Sequence, residues 1–323
     1  MGRYSNDCLR VHTIEFGATD PIIFGGLANV NTSLNTQTIS PQGGQTYETF
    51  QSIRSQTPEA AFTLEQLAAV LELVPITGLC VSSDGTHNGV ELFQVKHDPC
   101  AAHARAISGH AKQKWNKGHM FLNSISGNRD GNATAELALH GLSAGGTARP
   151  LDTAYNATLP AITDQIRDQL YTLGVPTVDD VDLTSAVSVN INFNPNFDKP
   201  IFAGSIWPQV VDVRKIRVLT TITLEDADQL DASDAPAAGK IPITGKPVAH
   251  ADTKLRFLRR KNGESLYGLA ETEHITATLA GLVHVSTPSS ASGDEVATCE
   301  LQIATLDDGN NAPIVFATGV AAT

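Results

Sequence analysis

The sequence predicts a mainly β protein built from two tandem modules, residues 1–160 and 161–323, each with at most one short helix. Three observations predict it. Residues 131–139, GNATAELAL, alternate small or apolar residues (Ala133, Ala135, Leu137, Leu139) with polar ones, the period of two of a half-buried strand. Residues 295–303, EVATCELQI, repeat the alternation 164 positions later through Ala297, Cys299, Leu301 and Ile303. Further matches fall in the same order: VNTSLN (30–35) and VNINFN (189–194) at 159, Thr63-Leu64-Glu65 and Thr223-Leu224-Glu225 at 160, Phe93 and Phe257, and His110 and His274, at 164. A slowly drifting offset is what small loop insertions leave in a duplicated chain.

Taken in order, VHTIEFGATDPIIF from Val11 reads as strand, and Val30, Thr32 and Leu34 alternate with Asn and Ser in the next one. A strand ending in Thr63-Leu64-Glu65 leads into the only clear helix. Thr63 is expected to cap it, Leu67, Val70, Leu71 and Val74 share a face, and Pro75 and Gly78 end it. A long strand pair follows, turning at SGNRDGN (126–132), a cluster of hairpin residues. In the second module, residues 161–174 read as a linker that ends in a strand, and Val189, Ile191 and Phe193 alternate as Val30, Thr32 and Leu34 do. The place of the helix is taken by the acidic, Ala/Pro-rich EDADQLDASDAPAAGKIP, read as a loop, and the late hairpin turns at 288–295.

With 323 residues and 41% hydrophobic content, each module can build a core. A net charge of -12 argues against gripping nucleic acid through its phosphates, which needs a basic surface. Cys8, Cys80, Cys100 and Cys299 lack metal-site or disulfide-framework spacing, so reduced thiols are expected. No apolar run reaches the length of a membrane span or opens the chain as a signal peptide, which predicts a soluble protein made in the cytoplasm.

Residues 141–145, GLSAG, match the G-x-S-x-G elbow of serine hydrolases, which needs a helix after the serine; Gly146, Thr147, Ala148, Arg149 and Pro150 start helices poorly, so Ser143 is read as part of a glycine-rich loop. His97, His103, His110 and His119 lack the spacings of metal sites, and no metal or cofactor is expected. Basic clusters (Lys112, Lys114 and Lys117; Arg214, Lys215 and Arg217; Lys254, Arg256, Arg259, Arg260 and Lys261) read either as solvated strand faces or as a seam meeting acids of a neighbouring subunit, Glu225, Asp226, Asp228, Asp231 and Asp234. Two tryptophans, Trp115 and Trp207, offer little for a carbohydrate- or receptor-binding platform.

The order of these pieces resembles the tail tube proteins of tailed bacteriophages. LYTLGVP followed by VSVNINF is similar to the opening of such subunits. FTLEQLAAVLELV and ITLEDADQL resemble their strand and short helix, and the two late hairpins their closing strands. The resemblance implies β-sandwich or half-barrel modules whose inner strands join neighbours into a continuous barrel, and a non-enzymatic virion protein. Because the module is duplicated, it further implies trimeric, pseudo-sixfold rings stacked into a conduit for DNA, in contact with tape measure and terminator proteins. A capsid decoration or minor head protein, forming trimers that do not stack, is the alternative.

Overall fold

The computed structural model describes residues 9–16, 22–25, 29–39, 51–83, 89–96, 109–160, 169–231, 239–261, 266–290, 297–306 and 312–322. His97, His103, Cys8, Cys100, Asp234 and the tip of the second late hairpin lie outside them. The fold is mainly β, with one helix among the described residues.

The first half contributes β1 (Leu9–Phe16), β2 (Ile22–Gly25), β3 (Asn29–Ser33), β4 (Thr36–Ile39), β5 (Ser52–Gln56), β6 (Glu59–Leu64), α1 (Leu67–Leu73), β7 (Leu79–Ser82) and β8 (Val90–Lys96). It closes with β9 (His110–Trp115), β10 (Lys117–Asn128), β11 (Thr134–Gly141) and β12 (Leu151–Ala157). The second half runs β13 (Tyr171–Leu173), β14 (Thr177–Val178), β15 (Val181–Asp182), β16 (Ala186–Asn192), β17 (Pro195–Asp198), β18 (Asp212–Ile216) and β19 (Leu219–Leu224). Then come β20 (Leu230–Asp231), β21 (Ile241–Pro242), β22 (Lys246–Val248), β23 (Lys254–Arg259), β24 (His274–Leu279), β25 (Gly281–Ser290), β26 (Thr298–Thr305) and β27 (Ile314–Val320).

A ten-stranded sheet organises the molecule, in the order β22-β25-β26-β19-β16-β10-β11-β6-β3, with β7 beside β10. It reads as one pattern written twice. β3-β6-β11-β10-β7 recurs as β16-β19-β26-β25-β22, and the two sets join where β10 pairs with β16. The hydrogen-bond registers recur too. Leu64 faces Ala135 and Thr63 faces Glu136, as Leu224 faces Cys299 and Thr223 faces Glu300. Val30 faces Phe62 as Val189 faces Ile222. The offsets of 159, 160 and 164 read from the sequence are therefore those of the strand pairing.

Irregularities recur at matching places, which chance alternation does not produce. The β10–β11 ladder slips between Leu122 and Ser124, and β25–β26 slips between Val285 and Thr287. Asn35 and Asn194, closing the VNTSLN and VNINFN strands, both have positive φ, 43° and 40°. Each leads into a projecting hairpin, β4–β5 or β17–β18, with a bulge at the same step. Gly118 and Gly281 open β10 and β25; a Cβ on Gly118 would lie 2.7 Å from the His140 carbonyl, and one on Gly281 would overlap the carbonyl of Ala304, the matching residue. The backbones there approach too closely for any side chain.

The smaller sheets, β12-β9-β8-β1-β2 and β15-β14-β23-β24-β27 with β13 beside β23, also correspond. The core lies against one face of the large sheet, where Phe62, Leu64, Met120, Leu137, Leu139, Val189, Ile191, Ile222, Leu301 and Ile303 are buried.

Two expectations are corrected. Thr63 does not cap the helix: it is extended in β6, paired on both sides with Asn29 and Glu136, and α1 begins after Gln66, which makes no side-chain cap hydrogen bond. Nor does Phe93 match Phe257. With His110 aligned to His274, Ala111 pairs with Gln94 while its counterpart Ile275 pairs with Phe257, so Gln94 holds the Phe257 position. A shared phenylalanine one residue out of step had suggested otherwise.

Candidate functional site

In a half-buried strand, residues alternate between faces, so the face of the large sheet opposite the core is fixed by the same pattern. It carries Asn29 and Asn31 on β3, Ser188, Asn190 and Asn192 on β16, Thr63 on β6 and Thr221 and Thr223 on β19. In β3, β6, β10, β11, β16, β19, β25 and β26 the only charged residues are Glu59, Glu136, Glu300 and, at one end, Lys117. Glu136 and Glu300 occupy matching registers. The Ser124 hydroxyl donates to Glu136 at 2.9 Å, and the Thr287 hydroxyl to Glu300 at 3.3 Å. The result is an amide- and hydroxyl-rich surface with sparse carboxylates.

The two edges of this sheet are unequal to its middle. At the internal junction, β10 pairs with β16 from Ser124 opposite Asn192 to Asn128 opposite Ser188, and the Phe193 N–H donates to the Asn123 carbonyl at 2.9 Å. Phe193 is 0% exposed there. Its counterpart at the outer edge, Leu34, is 48% exposed. β3 pairs only with β6, and β25 beyond residues 281–283, which β22 covers, pairs only with β26 among the described residues.

The β17–β18 hairpin folds across the polar face of the first half and forms a cleft of about 650 Å³ lined by Glu59, Glu136, His140, Asn190, Asn192 and Phe197, among others. Phe197 stacks on Phe121, centroids 4.9 Å apart, and lies 4.6 Å from the His140 ring. Lys199 forms an ion pair with Glu59, and His140 Nδ1 lies 3.3 Å from Glu59 and 3.4 Å from Lys199. Burial and the Lys199 charge lower the His140 pKa to about 4 against the opposing pull of Glu59, so the ring is neutral at neutral pH. Burial tends to raise the Glu59 carboxyl, but the Lys199 hydrogen bond and charge outweigh it and hold it below its usual range. The connection from β17 to β18 is fastened as well: the Ser143 N–H donates to the Pro208 carbonyl at 2.7 Å, and Trp207 Nε1 to Gln56 at 3.2 Å.

Ser143 is fully buried, with its hydroxyl donated to the Ala148 carbonyl at 2.7 Å and no helix following, so it is not poised as a nucleophile. His110 and His274 are fully buried at the starts of β9 and β24. His274 accepts the Arg259 N–H through Nδ1 and holds the Gly268 carbonyl through Nε2, a structural tie. His119 lies on the polar face stacked on Phe121, centroids 4.5 Å apart, its pKa lowered by burial against the hydrogen bond it gives to the Thr77 backbone. No group of three or more His, Cys, Asp or Glu is arranged for a metal among the described residues. Much of the basic and acidic seam is paired within the chain: Lys112 with Glu91, Arg214 with Asp198, Arg259 with Glu273, and Glu225 with Arg129. Cys80 and Cys299 are free thiols, and no helix is long and apolar enough to cross a membrane among the described residues.

The free edges, the hairpins and the Glu59–His140–Lys199 cluster escaped sequence reasoning. The matched Leu34-Asn35 and Phe193-Asn194 pairs were the one signal pointing to the hairpins. No protein-family model matches the chain, and comparison with curated proteins finds no significant match.

Proposed function

We propose that the chain is two copies of one module, meeting near residue 160, and a structural subunit that closes with copies of itself into rings. These rings stack as the tail tube of a tailed bacteriophage. The observation that carries this is the pair of unlike environments of Phe193 and Leu34. Among the described residues the two halves of the large sheet meet at one junction, β10 with β16, and the edges that would make the next one, β3 and β25 beyond residue 283, are open. Open sheet edges invite pairing, and a contact between unlike surfaces repeats head to tail until it closes or runs on.

Transferred to the next copy, the internal register sets Thr287 opposite Ser33 and directs the Leu34 N–H to the Ser286 carbonyl. Three chains supply six modules. The polar face then lines the channel, with Glu136 and Glu300 repeating around it; amides, hydroxyls and scattered carboxylates give DNA phosphates no cationic holdfast.

Electron microscopy of the purified protein at high concentration, with native mass measurement, tests this. Hollow rods built of three-chain rings are expected. Trimers that never stack would replace the tube by a decoration role, and a monomer at every concentration would refute self-assembly.

A further inference from the structure

The internal junction is made of more than paired strands: a hairpin of the second half also lies across the first. The matching hairpin, β4–β5, is held at its base, where Gln56 meets Ile206 and Trp207, and projects beyond that, its four β4 residues all exposed. Its expected seat is the polar face of a second half, where Leu219, Leu282, His284 and Ala304 occupy the positions of Glu59, His119, Phe121 and His140. Leu282 is 43% exposed, and Leu306, the counterpart of the buried Leu142, is 62% exposed.

Hairpin and seat differ from their internal counterparts in the same sense. On β17–β18, Phe197 is paired with Val213, with Lys199 beyond, over an ionic and aromatic seat. On β4–β5 the matching pair is Thr38 with Ile53, and Ile53 is 44% exposed. The seat has lost its carboxylate and one histidine to leucines, and its other histidine to alanine. The charged β17–β18 hairpin therefore has a charged seat within the chain, and the β4–β5 hairpin, with Ile39 and Ser55 where the other has Asp198 and Lys215, matches a seat that has lost its carboxylate.

We propose that β4–β5 docks on the second half of a neighbouring copy of this chain, Thr38 and Ile53 over Leu219, Leu282, His284 and Ala304, as a clasp without ion pairs. This rests on the ring reading above and specifies a contact that edge pairing alone does not require. Thr38 then lies over His284 as Phe197 lies over Phe121.

Two chains test it, each with Cys8, Cys80 and Cys100 changed to Ser, one carrying Thr38→Cys and the other His284→Cys. They are mixed, assembled and treated with a short bismaleimide. A covalent dimer joining the two chains is expected. Rings seen by native mass measurement without that cross-link would overturn the clasp while leaving the ring; failure of the unsubstituted chain to associate at any concentration would overturn both. A Leu282→Glu, Leu306→Glu variant should associate about tenfold more weakly or worse with its monomer melting unchanged, since both side chains are exposed. Association equal to that of the unsubstituted chain would also overturn the clasp.

Discussion

Phe193 and Leu34 hold the same place in the two halves, so truncating each to alanine separates folding from assembly. Phe193 is fully buried at the internal junction, and Phe193→Ala should cost about 3–5 kcal/mol of monomer stability through lost burial and a cavity. Leu34 keeps 48% of its surface in water in the single chain. Full burial of a leucine contributes about 1.5–3 kcal/mol. Covering the remaining half on assembly is therefore worth roughly 1 kcal/mol, or about a fivefold change in each junction's association constant. Leu34→Ala should leave urea unfolding of the dilute monomer within about 1 kcal/mol of the parent and move ring formation to higher concentration in sedimentation. The reasoning fails if Leu34→Ala unfolds the monomer as readily as Phe193→Ala, or if it assembles like the parent.

Acid should loosen the seat of β17–β18. His140 titrates near 4 in the folded chain against an ordinary 6.5, so between those values the unfolded chain holds a proton the folded one does not. Stability then rises with pH across the window, and acidification through it removes roughly 3 kcal/mol. The lowered Glu59 acts in the same direction, its contribution being lost as pH falls through its folded value. Urea midpoints for the parent and His140→Gln should diverge in pH slope between pH 4.5 and 7; equal slopes would discard this account. Gly281→Ala should destabilise the second half by about 1–3 kcal/mol, because the new methyl overlaps the Ala304 carbonyl, and a calorimetric melt unchanged from the parent would contradict it. Ser143→Ala should cost about 1 kcal/mol for the lost bond to Ala148, and a fluorophosphonate probe should label neither form; labelling of Ser143 would reopen hydrolase chemistry.

What the sequence disclosed and what it hid divide along a physical line. Strands buried on one face must alternate, so Ala135, Leu137 and Leu139 could be matched to Cys299, Leu301 and Ile303, and the large sheet's registers followed. The β4 residues of one hairpin are all exposed and the β17 residues of the other are half-buried at most, so TQTI and PNFD carry no apolar run to mark them and went unseen. Glu59, His140 and Lys199 meet only because a hairpin folds back over the sheet, a contact between distant stretches that no local pattern encodes. Thr63 looked like a cap because its neighbourhood reads as a capping motif, but pairing on both sides of β6 overrode local preference.

The β10–β16 pairing also bears on how quickly a ring can form. Two modules on one chain meet at a local concentration fixed by their connection, not by how much protein is present. In a ring of six modules made from three chains, half the junctions are then complete before any encounter. Ring yield at low occupancy scales with the third power of protein concentration, where separate modules would need the sixth. For the assembly proposed above, whenever subunits are scarce, that difference of exponent decides whether closed rings or stray partial arcs accumulate.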